Sequence, residues 1–163
     1  AMAINLSIPG LLFKAELFGA PRPTFDQAKM VGSAWMVVAV AVTLFGALRA
    51  RRERDQPLLW LAIIILATLR SPFLPQAYGT LPALWLLTLL VARREPTLGA
   101  LVAGFGAWIA LAFNWPVDWP IDRRLLAIAS LVQMAVTFGL VWMTIRRAAA
   151  AEPAAAAGPS QGG

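Results

Sequence analysis

Five apolar stretches run through this chain, and a short cluster of arginines follows three of them. The stretches cover residues 31–48, 57–69, 80–92, 98–113 and 125–145. Apolar residues make up 60% of the 163 residues and the mean hydropathy is +0.70, which leaves too little polar surface for a soluble domain. The pattern therefore predicts an integral membrane protein, with the lipid bilayer as the solvent of its helices.

The arginine clusters predict the orientation of the helices. Residues 49–54, 93–94 and 146–147 hold eight of the 14 Lys and Arg residues. Cytoplasmic loops of membrane proteins carry an excess of basic residues, so we expect these clusters in the cytoplasm. The expected fold is an all-α integral membrane protein with about five transmembrane helices, its N-terminus outside and its C-terminus cytoplasmic. The expected location is the cell (inner or plasma) membrane, in a multi-pass arrangement.

Three segments are expected along the chain. The sequence predicts an extracytoplasmic interfacial segment at residues 1–30 and a transmembrane helical bundle at residues 31–147. It predicts a disordered cytoplasmic tail at residues 148–163, because this segment is too poor in large apolar groups to pack. The Pro- and Trp-rich residues 114–122 predict a turn, with Asp122 near the start of the last helix as its cap.

The interfacial segment predicts a short helix lying in the outer interface. Leu11, Leu12, Ala15 and Phe18 recur at helical spacing, and Lys14 lies on another face.

The composition excludes several kinds of chemistry. The chain contains neither Cys nor His, which excludes disulfides, thiolate metal sites and Ser-His or Cys-His nucleophile pairs. All acidic residues lie outside the apolar stretches, which argues against an ion-coupled transporter, and the polar side chains within them are Ser, Thr and Gln133. We expect no metal and no cofactor. We also expect no nucleic-acid partner, because the arginines follow apolar stretches and do not line a polar face.

The outer side of the predicted bundle carries the candidate binding residues. Residues 70–79 contain two prolines that bar a continuous helix, and Arg70 at their start offers the fork-shaped donor that suits a phosphate. The alternative is that Arg70 only extends to the interface or binds ordinary phospholipid.

Two short segments resemble motifs of a known enzyme family. Residues 5–12 (NLSIPGLL) resemble the Asn-Gln-Ser-hydrophobic-x-Gly segment of the family 87 glycosyltransferases, multispanning C-type enzymes that use polyprenyl-phosphate sugars. Residues 70–78 (RSPFLPQAY) resemble the Ser-Pro-x-x-x-x-x-Tyr stretch that precedes a later helix in that family. Leu6 stands where the family usually has Gln, and residues 74–76 replace its usual Trp and His.

The resemblance implies the C-terminal transmembrane portion of a mannosyltransferase-like enzyme that uses a polyprenyl-phosphate sugar donor at the outer leaflet. It implies that Arg70 holds the lipid phosphate, and that Gln76, Tyr78, Asn5 and Ser7 make polar contacts with the donor. The essential acidic residue of such enzymes lies in an N-terminal outer loop, so this chain is not expected to be catalytic by itself. The implied partners are membrane lipids, the donor, and the N-terminal half of the same enzyme.

A second hypothesis is a small accessory or scaffold subunit of a larger membrane complex. Small residues recur at four-residue spacing in the fourth apolar stretch, at 99–100, 103–104 and 107, and they allow a neighbouring helix to approach closely. A continuing reading frame upstream, with more spans and an acidic outer loop, would favour the enzyme.

Overall fold

The computed structural model describes residues 2–49, 56–93, 97–113 and 122–150. Within these ranges the chain forms six α-helices and no strand. The helices are α1 (Ile8–Leu17), α2 (Phe25–Arg49), α3 (Gln56–Thr68), α4 (Gln76–Ala92), α5 (Leu98–Ala112) and α6 (Arg123–Ala150), and a 3-10 turn, Met2–Ile4, precedes α1. Helices α2 to α6 coincide with the five apolar stretches, so the prediction of an all-α fold is confirmed for the described residues.

Two of the described helices are long and apolar enough to cross a membrane by themselves. Their apolar parts are Phe25–Leu48 and Arg123–Ala148, with 24 and 26 residues. Each exceeds the hydrocarbon thickness of ~30 Å at a rise of ~1.5 Å per residue. Helices α3, α4 and α5 have 13, 17 and 15 residues, and they are therefore about 20–26 Å long. Helix length thus supports two crossings and does not establish five.

Side-chain caps explain where several helices begin. Helices α1, α5 and α6 follow Ser7, Thr97 and Asp122, whose side-chain oxygens accept backbone N–H groups two or three residues later at 3.0, 3.2 and 3.0 Å. The prediction that Asp122 caps the last helix is confirmed. That helix continues to Ala150, past the predicted end of the bundle at residue 147.

Parts of the predicted organisation fall outside the described residues. They are the turn at residues 114–121, the tail from residue 151 onward, and the arginines at positions 51, 52, 54 and 94.

The bundle is apolar at its centre but also buries many polar side chains. Ile65 of α3, Leu86 of α4 and Leu111 of α5 are at most 1% exposed and pack with the inner face of α6. Nine polar or charged side chains of the described chain are also buried, each at most 6% exposed: Asn5, Ser7, Lys14, Gln76, Thr80, Ser130, Gln133, Thr137 and Thr144.

Large apolar side chains cover the outside of the bundle instead. Each of the five long helices exposes them, among them Phe45 and Leu48 on α2, Trp60 on α3, Trp85 on α4, Phe105 and Trp108 on α5, and Trp142 on α6. A monomer in water rarely exposes apolar surface of this extent, because exposing it to water is unfavourable. The distribution suits a surface that faces lipid.

The first helix packs along the first half of α2. The rings of Phe13 and Phe25 lie 6.3 Å apart in an edge-on arrangement, and Pro9 approaches Gly32 further along α2. The two helices are therefore antiparallel. The 3-10 turn before α1 packs on α6, where Ser130 Oγ donates to the carbonyl oxygen of Ala3 at 2.9 Å. The N-terminal segment is thus part of the bundle.

Substituting Gly79 tests how closely this segment approaches α4. An alanine Cβ there would lie 2.8 Å from Leu6 Cδ1 and 3.0 Å from Leu6 Cβ, and Leu6 is 2% exposed with no free space. We expect Gly79→Ala to lower the free energy of unfolding by about 1–3 kcal/mol, measured by thermal unfolding in detergent micelles.

The matched control is Gly106→Ala on α5, where a new Cβ meets no atom within 4 Å. This variant is expected to be neutral or up to ~1 kcal/mol more stable, because alanine favours helix more than glycine. Equal unfolding midpoints for the two variants would contradict the close approach of Leu6.

Candidate functional site

The two segments that carry the family resemblance meet at one end of the bundle. This is the end at which α2, α4 and α6 begin and α3 and α5 end, and we call it the junction end. Residues 5–8 lie there against residues 69–75, the connection from α3 to α4, and we call this contact the polar junction. More than sixty residues separate the two segments along the chain.

The side-chain amide of Asn5 is the centre of the polar junction. Its Oδ1 accepts the backbone N–H of Leu74 at 2.8 Å and that of Ser7 at 3.1 Å. Its Nδ2 donates to the carbonyl oxygen of Pro72 at 3.0 Å. Asn5 is fully buried, so these bonds replace the water that its amide loses on folding.

Backbone hydrogen bonds extend the polar junction on both sides of Asn5. The N–H of Leu6 donates to the carbonyl oxygen of Leu74 at 3.0 Å, and the N–H of Ile8 donates to that of Leu69 at 2.9 Å. Ser7 Oγ caps α1 and also lies 3.4 Å from the carbonyl oxygen of Pro72. The N-terminal segment therefore satisfies much of the polar backbone in the α3–α4 connection.

Gln76, the first residue of α4, takes part in a second polar contact, which lies further from the junction end than the connection does. Its Nε2 donates to Oε1 of Gln133 at 2.8 Å and to the carbonyl oxygen of Phe113 at 3.0 Å. Gln133 Nε2 in turn donates to the carbonyl oxygens of Ala110 and Phe113 at 3.0 and 3.2 Å. The two glutamines thus satisfy carbonyl groups at the end of α5, which have no partner within the helix.

The remaining two predicted donor-binding residues face outward. Arg70 is exposed in the turn after α3, and it has no carboxylate partner among the residues that the structure describes. Tyr78, in the first turn of α4, is 70% exposed. Of the five predicted residues, Arg70 and Tyr78 are accessible to a ligand, whereas Asn5, Ser7 and Gln76 use their polar atoms within the chain. The donor-binding role of all five stays a prediction.

Lys14 is buried, a placement that the sequence left open. It is 2% exposed, and its Nζ donates to the carbonyl oxygen of Asn5 at 2.6 Å and lies 3.7 Å from Met134 Sδ. Ile8 and Leu11 pack against the core as well, whereas Phe18 is 50% exposed. The inner side of α1 therefore carries apolar side chains together with the lysine.

Burial lowers the pKa of the Lys14 ammonium from 10.5 to about 8, because the charged form loses its hydration inside the bundle. The helical periodicity of residues 4–18 could not indicate this placement, since it defines faces without saying which one is inside.

Apolar grooves lie between helices towards the opposite end of the bundle. One of about 140 Å³ lies between α4, α5 and α6, and its lining includes Leu87, Gly104 and Leu140. Another of about 220 Å³ lies between α2 and α3, near Thr43 and Trp60. Neither groove includes a residue of the polar junction.

Metal chemistry has no candidate site in the described part of the chain. No group of three acidic, His or Cys side chains is close enough there to hold an ion.

The arrangement defines a helical protein with an apolar exterior and a polar junction at one end. Comparisons with protein-family models, with curated proteins and with solved structures find no match.

Removing the Asn5 amide tests its structural role. Asn5→Ala leaves the buried N–H groups of Ser7 and Leu74 without their acceptor and removes one of the two donors to the carbonyl oxygen of Pro72. We expect a loss of about 2–4 kcal/mol in the free energy of unfolding, measured in detergent micelles. The control Thr88→Ala removes an exposed hydroxyl that bonds only to its own helix, and it should change stability little. A loss no larger than that of the control would rule out this role.

The pH dependence of stability tests the burial of Lys14. Its pKa is about 8 in the folded protein and near 10.5 when exposed, so the unfolded chain binds more protons between these values. Stability should therefore rise between pH 8 and 10.5, by up to ~3 kcal/mol. Lys14→Met should remove this rise, whereas the exposed control Lys29→Met should keep it. Identical pH profiles for both variants would show that Lys14 is not buried.

Proposed function

We propose that the chain is the C-terminal transmembrane portion of a mannosyltransferase-like enzyme that uses a polyprenyl-phosphate sugar donor, and that its junction end holds the lipid phosphate at the outer leaflet. The contact between residues 5–8 and 69–75 carries this proposal. Both motifs that resemble the family 87 glycosyltransferases take part in it, although they lie far apart in the sequence.

The proposed membrane topology has five crossings, with the junction end outside. The described arginines of the predicted cytoplasmic clusters, including Arg93 and Arg146, lie at the opposite end of the bundle. Trp60 and Trp142 are exposed towards that end, and the guanidinium of Arg146 lies 5.1 Å from the ring centre of Trp142. Arginine and tryptophan are typical anchors of a membrane interface, which supports an interface at this end, and the excess of arginine favours its cytoplasmic side.

The charge at the junction end suits an anionic lipid. The exposed basic residues there in the described chain outnumber the exposed acidic ones: Arg22, Lys29, Arg70, Arg123 and Arg124 against Glu16, Asp26 and Asp122. A guanidinium without a carboxylate partner is free to donate two parallel hydrogen bonds to a phosphate. In this proposal Arg70 holds the phosphate, Tyr78 contacts the donor beside it, and the buried Asn5, Ser7 and Gln76 fix the backbone that carries them.

The proposed reaction needs a carboxylate that activates the acceptor hydroxyl, and a cation that stabilises the departing phosphate. Arg70 supplies the second group. Among the described acids at this end, Asp122 caps α6 and Asp26 lies 3.7 Å from Lys29. We propose that the catalytic acid comes from another region of the enzyme, so that this chain binds donor without transferring the sugar by itself.

Lipid binding by the purified chain in nanodiscs tests the proposal. We expect undecaprenyl phosphate to bind more tightly than undecaprenol, which has the same hydrocarbon chain without the phosphate. Arg70→Gln should weaken phosphate binding about tenfold to a hundredfold, as expected for the loss of charge-assisted hydrogen bonds. Native mass spectrometry measures both lipids on the same sample.

The matched control is Arg146→Gln, which removes an exposed guanidinium at the opposite end of the bundle. It should leave the preference for undecaprenyl phosphate unchanged. Equal binding of the phosphate and the alcohol, or full binding by Arg70→Gln, would contradict the proposal.

The alternative function, an accessory or scaffold subunit of a larger membrane complex, is favoured by the outer face of α5. Leu111 is the only residue of α5 that is buried in the described chain, and Gly99, Ala103 and Gly106 lie exposed on the helix. Such a face allows close approach of another helix. Ala103→Leu would then block assembly with a partner subunit and leave lipid binding intact.

A further inference from the structure

Helix α5 is bonded to α6 at the junction end. Gln133 of α6 donates to the carbonyl oxygens of Ala110 and Phe113 at the end of α5, and Leu111 between them is fully buried. Leu111 is also the one buried residue of α5 in the described chain. The position of the rest of α5 therefore depends on what lies beside it.

A cleft of about 140 Å³ lies beside α5, between α4, α5 and α6, and we call it the α5 cleft. A Cβ at Gly104 would lie 3.1 Å from Val91 Cγ2, so α5 packs closely on α4, and the free space lies on the side of α6. An apolar space of this size stays dry and takes an apolar ligand. Every residue that lines the cleft in the described chain is apolar, including Leu87 and Leu90 of α4, Ala100 and Ala107 of α5, and Leu140 and Met143 of α6.

The dimensions of the α5 cleft suit a hydrocarbon chain better than a helix. From Ala100 to Ala107 the cleft follows α5 for about 10 Å at the helical rise per residue. Its volume, spread over that length, leaves a cross-section of about 14 Å², far less than that of a helix ~10 Å across. A partner helix therefore cannot enter between α5 and α6 unless they move apart, whereas an extended acyl chain needs no such movement.

The α5 cleft reaches the end of the bundle where α5 begins and α4 and α6 end, and we call this the arginine end. Ala100 is the third residue of α5, and Val91 is the second to last residue of α4. Arg147 is exposed and lies four residues after Met143 and seven after Leu140. At this spacing Arg147 continues the side of α6 that lines the cleft.

Positive charge lies around the entrance of the α5 cleft. In the sequence, residues 49–56, 93–97 and 146–152 hold eight arginines and four acidic residues. The first turn of α5 adds the positive end of a helix dipole, and a Cβ at Gly99 would meet no atom within 4 Å, so this turn is accessible. A guanidinium has five N–H donors, so Arg147 can bind a phosphate and keep another contact. This charge favours an anionic headgroup.

We propose that the α5 cleft binds an anionic phospholipid, whose acyl chain lies between α5 and α6 and whose phosphate lies between Arg147 and the first turn of α5. The lipid comes from the leaflet at the arginine end, so this site is separate from the proposed donor site at the junction end. The inference uses the membrane location proposed above and does not depend on the glycosyltransferase activity. By filling the cleft, the acyl chain holds the start of α5 in place.

Native mass spectrometry of the protein released from nanodiscs tests the headgroup. Phosphatidylglycerol and phosphatidylcholine with the same acyl chains are compared, and we expect the anionic lipid to bind about tenfold more tightly. Arg147→Gln should remove this preference. The matched control is Arg146→Gln, because this guanidinium lies 5.1 Å from the ring centre of Trp142, and its position is about 100° around the helix from Arg147. This control should keep the preference.

Filling the α5 cleft tests where the acyl chain lies. Ala107→Leu adds three carbon atoms at the lining, and we expect it to weaken binding of phosphatidylglycerol at least about tenfold, since a packed space does not accept further atoms. Ala100→Leu replaces it if Ala107→Leu does not fold. The matched control is Ala135→Leu, which adds the same atoms at an exposed position of α6 outside the cleft lining and should leave binding unchanged.

A photoreactive lipid maps the site directly. Phosphatidylglycerol with a diazirine in its acyl chain should crosslink to residues 100–107 or 140–143, and an excess of the unlabelled lipid should remove these crosslinks. Crosslinks confined to other helices would overturn the proposal.

The other contrary outcomes are equally specific. Equal binding of the two lipids, or an unchanged preference in Arg147→Gln, would overturn the headgroup site. Unchanged binding in the cleft-filling variant would overturn the acyl-chain site, and so would a dimer that this variant abolishes, because a second copy would then occupy the cleft. Arg70→Gln should leave the preference for phosphatidylglycerol unchanged. Loss of selectivity for undecaprenyl phosphate alone would remove the proposed function and leave this lipid site in place.

Discussion

The buried amide of Asn5 is the interaction on which the architecture of the junction end depends. It binds backbone groups of a connection 67–69 residues away with its donor and its acceptor, and one of these partners, Leu74, is buried. Apolar contacts alone could not hold this connection, because its peptide groups would lack hydrogen bonds. The Asn5 side chain thus stabilises the non-helical segment between α3 and α4, in which two prolines prevent a helix. This segment places Arg70 outward.

In the membrane location that we propose, the polarity of the bundle follows from its solvent. Lipid gives no hydrophobic reason for apolar helices to associate, so packing and hydrogen bonds between helices carry more of that role. The Gln76–Gln133 pair and the bond from Trp35 Nε1 to the carbonyl oxygen of Leu66 at 2.8 Å are of this kind. Each joins a side chain to carbonyl groups near a helix end, where backbone partners are missing.

Local features of the fold could be predicted from the sequence, and tertiary ones could not. Apolar stretches and prolines locate α2 to α6, and Asp122 was recognisable as a cap because capping depends on neighbouring residues. The sequence left the inward placement of Lys14 open for a physical reason. In water the apolar face of a helix is the buried one, but in apolar surroundings an apolar face can also point outward. Periodicity alone therefore cannot say which side faces the bundle.

The candidate site shows the same division. The motif residues could be listed from the sequence, but their roles depend on which of them are enclosed. Asn5 bonds to Pro72 and Leu74, and no local pattern indicates these distant partners. The same holds for Gln76, which bonds to Phe113 and Gln133. Arg70 and Tyr78 stay accessible because the bonds that hold the connection are made by other residues, among them Asn5 and Leu6. Accessibility, rather than residue type, distinguishes these two from the other three.

Amide hydrogen exchange in nanodiscs tests the central claim most directly, that the N-terminal segment is bonded to the α3–α4 connection. The N–H of Leu74 donates to Asn5 and that of Ile8 to Leu69, so both should exchange as slowly as amides at the centre of α4. Exchange of both at the rate of an unstructured chain would contradict the docked segment and the architecture built on it.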